Sequence, residues 1–249
     1  MDTSRNDRIA LLLCNGEMAD RRVVHALERQ ADMVVCADGG ANAARDLEIV
    51  PHVVIGDFDS ITADTRAFFE RAGVSMMHLP RQNDTDFEKA LILLRMQGVK
   101  TVAVCGVTGK LLDHTLGNFS ILLRYADAFR IVMFDPHYRI DLISAGIDQA
   151  TAGIDRATAG IDQATAGIDR ATVPARFSSR PGDRISIVPL STARGVRYRG
   201  LKFPFEGATL AFGVAEGTCN EALGEEFEVG VTDGVLLVFR ELHEGMWLL

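Results

Sequence analysis

The chain has 249 residues, 47% of them hydrophobic and 24% charged, with a formal net charge of −8. That is the composition of a soluble globular protein, long enough for one large domain or two small ones. The acidic balance excludes broad binding to nucleic acid or anionic membranes, whose sequence-independent part comes from excess Lys and Arg.

The N-terminal apolar stretch is too short for a signal-peptide core. No run approaches the roughly 20 apolar residues of a membrane span. Cys14, Cys36, Cys105 and Cys219 have no paired spacing. The first three sit inside strand-like runs and read as buried, inert thiols. A cytoplasmic location is expected.

Over the first 140 or so residues, strand-like and helix-like runs alternate. RIALLLCNG, DMVVCADGG, VVIGDFDS, SMMHLP, TVAVCGV and FRIVMFD read as strands. Residues 19–30, 41–47, 64–73, 84–98 and 111–128 read as helices. In the fourth of these, Phe87, Ala90, Leu91 and Leu94 follow a 3.6-residue period. Asp84 and Thr85 suit its N-cap and Gly98 its end. Near-continuous apolar strands alternating with helices predict an α/β domain over 1–144, a mostly parallel sheet covered on both faces.

Residues 145–172 are AGIDQAT-AGIDRAT-AGIDQAT-AGIDRAT. The Ile and Ala spacing allows an amphipathic helix, but each heptad carries a Gly and a Thr, together costing about 1–1.5 kcal/mol of helix propensity relative to Ala. The segment reads as a mobile or weakly structured insertion without a catalytic role; a repeat-built interaction arm is the other reading. From 173 to 249 short strand-like runs are separated by Gly, Pro and Asp, and TDGV at 232–235 carries a hairpin signal. A small C-terminal antiparallel β-sandwich is expected.

Ligands of a parallel sheet gather beyond the carboxyl ends of its strands. Asp57 and Asp59 stand at such an end. In an extended chain, residues i and i+2 point to one side, about 6–7 Å apart at Cα. Carboxylates that close invite a hard divalent cation; a helix N-cap at Asp59 or Ser60 is the alternative. Asp38, Gly39 and Gly40 close another strand, where glycine permits close approach and a helix start offers N–H groups to a phosphate. Asp84, Asp86, Glu88 and Lys89 crowd a third, though acids favour a helix's first turn in any case. Lys110, Asp113 and His114 stand at a fourth.

Together the blocks CADGGAN (36–42), GDFDS (56–60), NDTDFEKAL (83–91), GVTGKLLDHTLGN (106–118), GLKFPF (200–205) and GTCNE (217–221) resemble the thiamine pyrophosphokinase family. The resemblance spans nearly the whole chain outside the heptads. It implies an α/β domain followed by a β-sandwich, a homodimer with sites between subunits, and transfer of a pyrophosphoryl group from ATP to the thiamine hydroxyl. By matching position it implies Mg²⁺ held by Asp57, Asp59 and Asp86, with Asp113 completing the acidic cluster and Asp86 or Asp113 accepting the hydroxyl proton. Asp38, Gly39, Gly40, Asn42, Lys89, Thr108, Gly109, Lys110 and His114 would meet the nucleotide. Gln82, Phe203, Cys219 and Asn220 would meet thiamine. Leu111, Phe203 and Cys219 stand where the family usually has Arg, Trp and Ser. Two other readings of the acids are a metal-dependent glycosyl- or nucleotidyl-transferase with a D-x-D pair, and a non-catalytic thiamine- or nucleotide-binding protein.

Overall fold

The computed structural model describes residues 7–80, 84–145, 174–243 and 246–249. These fall into two compact units, Met1–Asp141 with Leu242–Leu249, and Leu142–Glu241. Gln82 and all of the heptad segment except Ala145 lie outside the described residues.

In the first unit the six expected strands form as β1 (Arg8–Leu13), β2 (Met33–Ala37), β3 (Val53–Gly56), β4 (Ser75–His78), β5 (Val99–Cys105) and β6 (Arg130–Phe134). The helices between them are α1 (Arg21–Glu28), α2 (Gly40–Asp46), α3 (Ala63–Arg71), α4 (Asp86–Met96) and α5 (Leu112–Tyr125). A seventh strand, β7 (Tyr138–Ser144), was not legible as a separate element. Asp135 makes it: its Oδ1 accepts from the N–H groups of His137 and Tyr138, both at 2.7 Å, and the chain turns back antiparallel to β6.

The strand order is β7-β6-β5-β1-β2-β3-β4, parallel except for β7. Succession runs outward from β1 to β4, then resumes at β5 on the other side of β1. The connections diverge there, and a crevice opens at the strands' carboxyl ends. The central strands are apolar throughout because helices cover both faces: Leu11, Leu13, Val24, Leu27, Val54, Phe69 and Phe134 share one core. α4 is capped by Thr85, whose hydroxyl accepts from Glu88 N, and buries Phe87, Ala90, Leu91 and Leu94 as its period predicts. Cys14, Cys36 and Cys105 are buried, and burial pushes their thiols up, to about 12 for Cys105. Their burial is as expected, and a raised pKa leaves little of the reactive thiolate.

Chain order did not foretell that the last residues pack with the first unit. The buried Arg139 is paired with Asp141 and donates to the carbonyls of Met246 and Leu248. Gln30 bonds Trp247 O and Leu249 N.

The second unit contains β8 (Ala175–Ser178), β9 (Arg184–Pro189), β10 (Ala193–Arg199), β11 (Phe205–Leu210), β12 (Gly217–Glu221), β13 (Glu226–Gly230) and β14 (Val235–Glu241). They pair antiparallel as β12-β9-β14 and as β11-β10-β13-β8. Ile185, Ile187 and Val238 of the first group share a core with Val196, Tyr198, Phe227 and Val229 of the second. TDGV is not a hairpin: β13 and β14 belong to different layers. Its Asp-Gly turn is fastened to Arg194 instead, by Arg194 N to Asp233 O at 2.8 Å and by an ion pair at 2.6 Å.

Candidate active site

A cleft of about 650 Å³ lies in the first unit, of a size suited to a small-molecule ligand. The ends of β1, β2, β3 and β5 line it, with the first turns of α4 and α5.

Three carboxylates meet there. Among the described residues, Asp38, Asp57 and Asp86 form a group whose nearest oxygens all lie within 4.8 Å of one another. Asp38 follows β2, Asp57 follows β3, and Asp86 opens α4. Gly56 lets them converge: a Cβ there would sit 2.8 Å from Asp38 Cβ and 3.1 Å from the Asp86 carboxylate. Asp38 is buried and accepts from Ser60 N at 2.9 Å and Ile61 N at 3.3 Å. Burial pushes its carboxyl up from the ordinary value, the Ser60 bond pulls it down, and the Asp86 charge raises it again. Asp86 is also held by Lys89 Nζ at 2.8 Å.

The membership of this group differs from the expectation. Asp57 and Asp59 are not neighbours on an extended strand, because Phe58 has φ 65° and turns the chain between them. Its ring stacks on His78 at 5.3 Å, with the Arg66 guanidinium 5.2 Å above it. Asp57 joins Asp38 and Asp86, while Asp59, outside that group, accepts from Ser60 Oγ at 2.8 Å and shares a side-chain hydrogen bond with Asp38. Thr62, not Asp59 or Ser60, caps α3. Asp113 lines the cleft but is outside the group; it is exposed and accepts from His114 N.

Of the residues expected at the nucleotide, Asp38, Gly39, Lys89, Gly109, Lys110 and His114 line the cleft. Gly40 does not: a Cβ there would strike Leu13 O, so this glycine serves the packing of α2 on β1. Asn42 bonds Ser60 O and Thr62 N, both at 3.0 Å, and so fastens the acid-bearing loop. Thr108 gives its carbonyl to Glu17 N at 2.8 Å. That bond exposes an omission. The loop after β1 supplies Asn15 and Gly16 to the cleft, and Lys110 Nζ donates to Asn15 Oδ1 at 3.0 Å. The signal was present, since NG ends β1; its weight depended on β1 being central.

In the second unit, Asn220 is buried and its amide is committed to the backbone. Oδ1 accepts from Phe203 N at 3.0 Å and Glu221 N at 2.9 Å, and Nδ2 donates to Phe203 O at 2.8 Å. It holds the loop presenting Phe203, whose side chain is exposed. Cys219 is exposed with Arg184 Nη2 3.1 Å from its sulfur. Asn220→Ala is expected to release the Phe203 loop and raise the KM for a ligand stacked on that ring about tenfold, leaving kcat within threefold. The estimate takes about 1–1.5 kcal/mol for the lost bonds. Steady-state kinetics at varied concentrations of that ligand would read it.

Five described non-glycine residues have φ in the left-handed region, and four are Asp38, Phe58, Lys110 and Cys219. Such conformations cost of order 1–3 kcal/mol each and persist where the surroundings over-determine them. All four lie in the sequence blocks singled out for chemistry.

The family model for "Thiamin pyrophosphokinase, catalytic domain" matches residues 24–133, and that for "Thiamin pyrophosphokinase, vitamin B1 binding domain" matches residues 173–236. Thiamine pyrophosphokinase 1 of Arabidopsis thaliana is 31% identical over 165 residues, which are 57% of this chain and 60% of the relative. Thiamine pyrophosphokinase of Bacillus subtilis is 29% identical over 111 residues, 44% of this chain and 52% of the relative. The chain thus spans about 60% or less of the length of these relatives. The fold is like that of solved thiamin pyrophosphokinases: from Candida albicans, TM-score 0.75 at 17% identity over 94% of this chain and 90% of the other; from Bacillus subtilis, 0.70 at 19% over 94% and 99%. Two domain models in the expected order cover most of the described chain, so this protein belongs to the thiamine pyrophosphokinase family.

Proposed function

We propose that the protein transfers a pyrophosphoryl group from ATP to the hydroxyl of thiamine, giving thiamine diphosphate and AMP. The observation that carries this is the convergence of Asp38, Asp57 and Asp86 in one cleft of a family member. Oxygen donors drawn from three strand-end segments, with Gly56 leaving room between them, suit a hard cation such as Mg²⁺. Asp38, Asp57 and Asp86 would hold it. When bound, Mg²⁺ neutralises charge on the phosphate oxygens.

The chain's own groups account for the rest. The hydroxyl oxygen of thiamine attacks the β-phosphorus, the bond from that phosphorus to the α,β-bridging oxygen breaks, and AMP departs with that oxygen. Lys110 and His114 stand where they can orient the phosphates. The proton leaves the hydroxyl for a carboxylate. Asp113 is our choice over Asp86, which would be committed to the cation. Phe203 would offer its exposed ring to the cationic thiazolium. A D-x-D transferase has less support, since the third acid that meets Asp57 and Asp86 is Asp38, from outside the D-x-D pair.

We also infer a homodimer. Leu112 and Leu116, beside Asp113 on α5, are 73% and 59% exposed, an apolar edge next to the cleft that a second subunit would cover. No helix among the described residues is long and apolar enough to cross a membrane, and with ATP as co-substrate we assign the protein to the cytoplasm. Incubation with ATP, Mg²⁺ and thiamine should yield AMP and thiamine diphosphate in equal amounts. ADP with thiamine monophosphate, or binding without turnover, would refute the reading.

A further inference from the structure

We propose that Lys89 is the resident counter-ion of the three-acid group: it is bound to Asp86 when no divalent cation is present and is released toward the phosphates when one enters. This rests on the reading of Asp38, Asp57 and Asp86 as a cation site. The Lys89 side chain is 3% exposed and its Nζ lies 2.8 Å from Asp86 Oδ1, while the Asp86 side chain is 24% exposed. The two are i and i+3 on the first turns of α4, so they share a face of the helix. Glu88, the acid next to Lys89, turns the other way and takes Arg124 at 2.7 Å and Tyr125 Oη at 3.2 Å.

Each side of the pairing relieves a cost of the other. A buried ammonium without a carboxylate is expensive, and three carboxylates within 4.8 Å repel one another. A divalent ion on Asp86 does the same work with twice the charge and repels the ammonium at short range. Ion binding and the Lys89–Asp86 bond therefore draw on one carboxylate, and weakening one strengthens the other. Lys89 lines the same cleft, so the ammonium that is given up has the phosphates within its surroundings. The order that results is cation first, lysine second.

The test is a Mn²⁺ titration of the nucleotide-free full chain, with free ion read by electron paramagnetic resonance. Lys89→Met is expected to bind Mn²⁺ about three- to tenfold more tightly than wild type, the removed competitor being a single neighbouring charge. Lys110→Met makes the same charge change in the same cleft, but Lys110 bonds Asn15 rather than an acid; its Mn²⁺ affinity should stay within about twofold. Lys89→Gln provides the same comparison should the methionine variant not fold. Unchanged or weaker binding by a folded Lys89 variant, or equal tightening in both lysine variants, overturns the proposal. A wild-type protein that takes up no Mn²⁺ overturns the cation site itself and this proposal with it, a result distinct from the first.

Discussion

Gly56→Ala is expected to lower turnover at least about a hundredfold and to weaken Mn²⁺ binding, although it adds one methyl group and removes no polar atom. Its Cβ would lie 2.8 Å from Asp38 Cβ and 3.1 Å from both Cγ and Oδ1 of Asp86. Something must move, and the backbone is poorly placed to do so. Gly56 pairs with His78 at the end of β3, and its carbonyl accepts from Leu79 N at 2.8 Å. Asp38 is tied to Ser60 and Ile61. Asp86 is the freer partner, and displacing it opens the three-acid group and draws Lys89 with it. Overpacking of this kind costs about 1–3 kcal/mol, or a fall in Tm of roughly 2–12 °C for a chain of this size. A ligand geometry lost by about 1 Å is worth about a hundredfold in rate. Steady-state kinetics, Mn²⁺ titration and a thermal melt on one preparation would decide it. Full activity would mean that the acids need not converge as closely as they do here.

Much of the fold was legible because its signals are local. The period of Phe87, Ala90, Leu91 and Leu94 and the cap at Thr85 specify α4 without reference to any other element. The apolar runs ending in Cys36, Gly56 and Cys105 could only be strands covered on both faces. Strand order was not local. That β5 resumes beside β1 makes the NG after β1 part of the cleft, and nothing within residues 8–16 says so. The site was legible in its blocks but not in its partition. Asp57 and Asp59 part at Phe58, whose φ is 65° and whose ring meets His78 and Arg66 from neighbouring elements. Asn220 was expected to meet a ligand, and what the sequence did not say is that its amide also ties down the backbone of Phe203. An asparagine's three-letter neighbourhood cannot tell a substrate from a backbone seventeen residues away.

Asp57→Asn is expected to lower kcat by about a thousandfold or more, on the several kcal/mol that a correctly held metal ion contributes to charge stabilisation. The fold should be indifferent to it. Asp57 is exposed, and its one described hydrogen bond, from Asp59 N at 3.3 Å, can be accepted equally by an amide oxygen. In the metal-free protein the change removes one of three mutually repelling charges, so Tm should hold or rise by a degree or two. The combination separates a functional acid from a structural one. A carboxylate that held the fold together would take stability down with activity, as loss of Asp38 should, since Asp38 is buried and bonded to two backbone N–H groups. Kinetics with ATP, Mg²⁺ and thiamine alongside thermal melts in EDTA would read both halves. A large fall in Tm with Asp57→Asn, or turnover within tenfold of wild type, would place the cation elsewhere than among these three acids.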